Sequence, residues 1–222
     1  AERNAFEYMN ADALLELEIV SRSGFARRIV SQEGSPGGVA VDKYGRFMLL
    51  TGLLLKEQKE EGIFASVRKK NSFISLVNDM ISDMKQYDVT PSELAEIESS
   101  LNDDSELCEK ISDVREIYEK YEELLAGRYL DSEDFLRIVS EKIRGSELVK
   151  SHRFWIDGFD YMTPKLLSMV EAIACTAPEV NVVFTGDDRN AEGQFAVFQR
   201  MRKALREMAE RDQIPYQEHG IP

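Results

Sequence analysis

Asp157 ends the run Arg153-Phe154-Trp155-Ile156-Asp157-Gly158-Phe159-Asp160, which reads as a buried strand delivering a carboxylate at its carboxyl end. In nucleotide hydrolases such an acid holds Mg²⁺, and the acid after it polarises the attacking water. Here Gly158 takes that second place, so the metal-side acid is present and the water-side acid is not. A second run of the same kind, Val180-Asn181-Val182-Val183-Phe184-Thr185, leads into Gly186-Asp187-Asp188-Arg189-Asn190. Gly-Asp-Asp at a strand end can sense a γ-phosphate, and it is also ordinary turn chemistry. A third group, Ser21-Arg22-Ser23-Gly24-Phe25-Ala26-Arg27-Arg28, sets hydroxyls and arginines at the start of a helix, where DNA phosphates are held.

Other chemistry is poorly supplied. The two cysteines, Cys108 and Cys175, sit in helix-like segments without metal-ligand neighbours, and the two histidines, His152 and His219, are isolated. These are not the parts of a zinc site or a Cys–His nucleophile; they suit reduced core thiols of a cytoplasmic protein. No Gly-Lys-Ser/Thr phosphate loop occurs, so the chain alone is not a complete P-loop ATPase. A net charge of −13 disfavours a wide nucleic-acid surface while leaving room for one basic strip. Lys56, Lys59, Arg68, Lys69 and Lys70 form a modest basic patch that reads as a solvated face, as does the acidic stretch 93–123. No apolar run approaches the roughly 20 residues a membrane span needs.

The elements that must position these residues alternate between two patterns. Leu17–Val20 reads as a short strand in the same sheet as 153–157 and 180–185, and 24–31 as the helix after it. The strands 153–157 and 180–185 are expected to be parallel neighbours, joined by a helix that Thr163-Pro164 starts. Between these parts, 43–150 is helical almost throughout. Phe73, Leu76, Met80, Leu107, Ile111, Val114 and Tyr118 are its expected core, and Thr90-Pro91-Ser92-Glu93 and Asp131-Ser132-Glu133-Asp134 are helix starts. A last helix carries Phe198, Met201, Leu205 and Met208. A helix-like stretch over 2–15 and the open end at 220–222 suggest cuts in a longer protein. The expected fold is a helix-rich α/β protein: parts of one α/β domain at 1–42 and 151–222, with a helical insertion at 43–150.

The order of these pieces is more specific than any one of them. The Ser21–Arg28 motif, Gln86-Tyr87-Asp88-Val89-Thr90-Pro91 in the helical insert, Phe154–Pro164 and Val182–Asp187 together resemble the B subunits of the bacterial AddAB helicase–nucleases. The resemblance runs from about Glu16 to about Leu205. It implies part of a RecA-like, P-loop-type parallel sheet, and a parent that processes double-strand DNA ends for recombinational repair with a catalytic A subunit. It places Asp157 at the Mg²⁺-coordinating position of superfamily 1 helicases, and Gly158 where their glutamate stands. Asp187 and Asp188 fall in the following Gly-Asp-Asp motif, and Asn190 falls where a phosphate-sensing Gln is usual. Ser21 and Ser23 fall in a motif that contacts single-stranded DNA, with Arg22 and Arg27 beside them. ATP, Mg²⁺ and an iron–sulfur cluster are implied for the full-length parent, and no cofactor for this chain by itself. The residues also leave open a helical protein–protein interaction module with no nucleic-acid role.

Overall fold

The computed structural model describes residues 17–34, 37–56, 62–101, 105–159, 161–184 and 196–220. The stretch 2–15 and the acids Asp187 and Asp188, with Asn190, lie outside them. The described elements run α1 (Arg22–Glu33), β1 (Val39–Val41), α2 (Lys43–Lys56), α3 (Asn71–Gln86), α4 (Pro91–Ser100) and α5 (Ser105–Leu125). There follow β2 (Tyr129–Asp131), α6 (Ser132–Ile143), α7 (Glu147–Ser151), β3 (Phe154–Ile156), α8 (Pro164–Ala174), β4 (Val180–Val182) and α9 (Ala196–Arg211).

Helix starts follow the local sequence closely. Thr90 caps α4 through Glu93 N–H, while the Glu93 carboxylate returns to the Thr90 N–H at 2.7 Å; this reciprocal pair, with Pro91 in the first turn, explains the sharp start. Thr163 caps α8 ahead of Pro164, and Asp131 caps α6 by accepting from the Glu133 and Asp134 amides.

The four described strands form two parallel pairs. Strands β3 and β4 align Phe154 with Val180 and Ile156 with Val182, and α8 makes the crossover between them. This is the β-α-β unit expected from the apolar runs, three residues long on each side. Strands β1 and β2 align Val39 with Tyr129 and Val41 with Asp131. So the stretch 43–150 is interrupted by a strand at 129–131, and among the described residues β1 and β2 are strands that the sequence pattern does not announce. The strand expected at 17–20 does not form. Leu17 and Val20 are exposed there and no described strand pairs with them, so the alternating side chains have no face to bury. The architecture is α/β and helix-rich with small parallel sheets.

Buried side chains gather in two clusters. One joins Phe25 and Ile29 of α1, Leu136, Val139 and Ile143 of α6, Val149 of α7 and Leu166, Met169 and Ile173 of α8, with Phe154, Ile156 and Val180 packed against it. The other joins Leu50 and Leu54 of α2, Phe73, Ile74, Val77 and Ile81 of α3, Leu94 of α4 and Ile117, Tyr118, Tyr121 and Leu125 of α5. Of the seven core residues expected here, Phe73 and Tyr118 are buried and Met80, Ile111 and Val114 half-buried. Leu76 and Leu107 are exposed instead. The inward face of α3 is Phe73, Ile74, Val77, Asn78, Ile81 and Lys85, rotated from the purely apolar stripe because two polar side chains belong to it.

Candidate functional site

Strand β3 carries Asp157 at its carboxyl end, where ligands of parallel α/β sheets bind. The carboxylate is exposed, and its Oδ1 accepts the Gly158 N–H at 2.8 Å. Gly158 has φ +81°, a left-handed turn that a side chain resists, although a Cβ there would meet nothing within 4 Å. The backbone geometry, rather than crowding, favours glycine at this position.

Helix α1 presents the second candidate group. Ser21 is its N-cap, with Oγ accepting Gly24 N–H at 3.1 Å and lying 3.2 Å from Ser23 Oγ. Arg22, Ser23 and Arg27 are exposed in the first turns, and Arg27 Nε donates to the Ser23 carbonyl at 3.2 Å. Arg28 is paired with Glu18. One turn further, Phe25 meets Phe154 of β3 edge-on, with ring centroids 5.6 Å apart. Helix α1 and the strand bearing Asp157 therefore share one core, and the hydroxyls and arginines of α1 and the Asp157 carboxylate are carried by packed neighbours.

Of the five basic residues expected on a solvated face, Lys56, Lys69 and Lys70 are exposed, Lys59 lies outside the described residues, and Arg68 departs from the expectation. Arg68 is buried, with Nη1 3.7 Å from Asp113 Oδ1, so its charge serves the interior. Cys175 is exposed at the end of α8 rather than in a core; Cys108 is half-buried, and both are free thiols. An iron–sulfur cluster takes four thiolates, and the sequence holds two cysteines, so these residues do not fit one. Among the described residues no helix is long and apolar enough to cross a membrane.

A dense cluster of charge lies at residues that the sequence pattern does not single out. Lys85, on the inner face of α3, reaches Asp131 Oδ2 at 2.8 Å, Glu122 Oε1 at 2.8 Å and Asp134 Oδ2 at 2.7 Å. The Tyr121 hydroxyl donates to Asp131 Oδ2 at 3.2 Å. Burial by itself would push the Lys85 ammonium down, but the charge of Asp131 and the three carboxylate hydrogen bonds outweigh it and hold Lys85 above its ordinary value. Burial would also raise Asp131, yet Lys85 and the Asp134 amide hold it below the usual carboxylate range. Burial raises Glu122, against its contacts with Lys85. Oxygens of Glu122, Asp131 and Asp134 lie within 4.8 Å of one another, a spacing that suits a cation. The Lys85 ammonium already fills that role, which makes the cluster a structural cage tying α3 and α5 to β2 and α6. The signal in the sequence was slight: one lysine at the 73-77-81-85 spacing of a buried stripe.

A cleft of about 240 Å³ lies beside the Asp88 turn and is lined by Arg137, Arg144 and Lys165 among others. Each cation already meets an acid: Arg137 with Glu141, Arg144 with Glu171 and Lys165 with Asp88. That pairing leaves the cleft without the net positive charge an anion needs.

Comparison with known proteins identifies relatives of this chain. A family model described as "ADDB, N-terminal" matches residues 1–221. The chain is 29% identical over 185 residues to the B subunit of an ATP-dependent helicase/deoxyribonuclease from Alkaliphilus metalliredigens, covering 83% of this chain and 16% of that protein. It is 27% identical over 219 residues to the protein of the same name in Acetivibrio thermocellus, covering 97% and 19% respectively. It is 30% identical over 179 residues to the one in Anoxybacillus flavithermus, covering 78% and 16%. The chain thus spans less than a fifth of the length of these curated relatives. With its β3-α8-β4 unit and a family match from residue 1 to residue 221, the chain belongs to the AddB N-terminal family.

Proposed function

We propose that this chain is the helicase-like N-terminal region of a DNA-end-processing helicase–deoxyribonuclease subunit, one that lends scaffold, partner interface and a single-stranded DNA path rather than nucleotide hydrolysis. The observation that carries this reading is the turn at Asp157–Gly158: a metal-side carboxylate at a strand end, followed by a φ +81° glycine in place of a water-polarising acid. Hydrolysis also needs a phosphate cradle, and the sequence has no Gly-Lys-Ser/Thr loop to make one. Asp157 would be the residue to hold Mg²⁺ where the parent brings ATP to this sheet edge. Asp187, Asp188 and Asn190 would complete the phosphate side. On this reading 1–42 and 151–222 belong to a RecA-like domain and 43–150 is its helical insertion. The partner is the catalytic A subunit of the same complex, and the setting is cytoplasmic repair of double-strand breaks by recombination.

DNA contact falls to the first turns of α1. Arg22 and Arg27 would pair with phosphates, and Ser21 and Ser23 would add hydroxyl hydrogen bonds. Against a net charge of −13 such contact is weak and salt-sensitive. The test is single-stranded DNA binding by the full complex across a salt series, with Arg22→Ala and Arg27→Ala combined. Two lost phosphate contacts should lower the salt slope by about 1.4, at about 0.7 per contact on a single strand. An unchanged slope with impaired assembly of the two subunits would favour the pure interaction module.

A further inference from the structure

Helix α2 is apolar on both of its faces. Leu50 and Leu54 are wholly buried against α3 and α5, and Phe47, Leu49 and Leu53 pack partly on the same cluster. On the opposite side Tyr44 is 78% exposed, Met48 73% and Leu55 54%. At 100° per residue, Tyr44, Met48, Thr51 and Leu55 fall within a narrow sector, a stripe roughly 16 Å long at 1.5 Å per residue. Thr51 donates its hydroxyl to the Phe47 carbonyl at 2.8 Å, so that hydroxyl is satisfied within the helix. A Cβ on Gly52 would meet nothing within 4 Å, so the stripe is flanked by a notch where another backbone can approach. Charge is absent along it. Lys43 and Lys56 stand at the helix ends, and Arg46 turns inward to donate to Asn78 at 2.7 Å. A helix on the surface of a protein ordinarily keeps its outer face polar, so exposed Tyr44, Met48 and Leu55 on one side of α2 mark a contact.

We infer that the Tyr44–Met48–Leu55 stripe of α2 is the docking face for an apolar helical segment from the remainder of the same subunit. This rests on the reading that the chain is one region of a longer protein. In the relatives more than four-fifths of the polypeptide lies outside the matched region, which supplies the occupant. The remainder of the subunit is a better occupant than the partner subunit for a physical reason. A face covered only on assembly would leave bare apolar surface on every unassembled subunit, a hazard that covering within the chain removes. The absence of charge along the stripe fits a permanent contact, since permanent interfaces resemble a divided core.

Met48 and Tyr44 are themselves the probes. Hydroxyl-radical footprinting with mass spectrometry would compare the 222-residue chain, the full-length subunit alone, and the subunit with its partner. Oxidation of Met48 should fall about tenfold in the full-length subunit alone. Met48→Glu should leave the melting temperature of the 222-residue chain within about 1 °C and lower that of the full-length subunit clearly. Equal oxidation in all three samples, protection only with the partner subunit, or protection of the short chain that grows with its concentration would each overturn the inference. The intact mass of the native gene product tests the longer-subunit reading separately, since a 25.3 kDa product would remove it whatever Met48 does. Neither measurement reads DNA binding, so failure of the DNA path leaves this result standing.

Discussion

Replacing Lys85 with methionine isolates the energy of the buried cage. Methionine fills similar volume but removes the ammonium that three carboxylates share at 2.7–2.8 Å. The side chain of Lys85 is 5% exposed and that of Asp131 is fully buried, so Asp131 would keep its charge out of water without its counter-ion. Breaking a buried pair from one side costs about 3–5 kcal/mol. Asp131 retains three donors, the Tyr121 hydroxyl and the Glu133 and Asp134 amides, which places the loss near the lower end, about 3 kcal/mol. For a chain of this size that is a fall of roughly 6–12 °C in melting temperature. The discriminating measurement is a double-mutant cycle with Asp131→Asn, by urea denaturation followed by far-UV circular dichroism. Asparagine caps a helix about as well as aspartate, so α6 keeps its start while the orphaned charge disappears. Lys85→Met with Asp131→Asn should therefore be at least about 1.5 kcal/mol more stable than the sum of the single losses, well beyond the roughly 0.5 kcal/mol error of additivity. A single-mutant loss under about 1 kcal/mol, or additive losses, would refute the cage.

The pH dependence follows from the same groups. Asp131 is held low in the fold, so its contribution is present above its unfolded value of about 3.9 and disappears as pH falls through the folded one. Lys85 is held high, so its contribution is complete below about 10.4 and disappears as pH rises through the folded value. Glu122 is raised and acts in the opposite sense to Asp131, losing stability as pH rises. Glu122→Gln should accordingly become more favourable between pH 4 and pH 7 in urea melts, and a trend in the other direction would contradict the assignment. Gly158→Glu should produce no phosphate release above background with Mg²⁺ and DNA, because the phosphate cradle is still missing. It should also cost about 1–2 kcal/mol, the strain of a side chain at φ +81°. Turnover in the unaltered chain that vanishes in Asp157→Ala would show a working motor instead.

What the sequence determined by itself is local. The start of α4 is written in Thr90, Pro91 and Glu93, and that of α8 in Thr163 and Pro164, because a cap joins a side chain to an amide two or three residues away. Strands β3 and β4 were legible for a similar reason: each is a short apolar run bounded by turn residues, and one helix of crossover makes them parallel neighbours. Asp157 at a strand end, and Ser21 at a helix start, are positions along the chain and could be read as such. The tertiary structure alone decided what those positions face. Strands β1 and β2 are three residues each and lie some 90 positions apart, so only their pairing defines them. Leu76 turned outward and Lys85 inward on one helix, since the inner face of α3 is set by α2, α5 and α6, not by its own periodicity. Arg68 and Lys85 look like surface cations in a linear reading. Their counter-ions, Asp113 and Asp131, lie 45 and 46 residues further along, and it is this long-range pairing that makes burying their charge affordable.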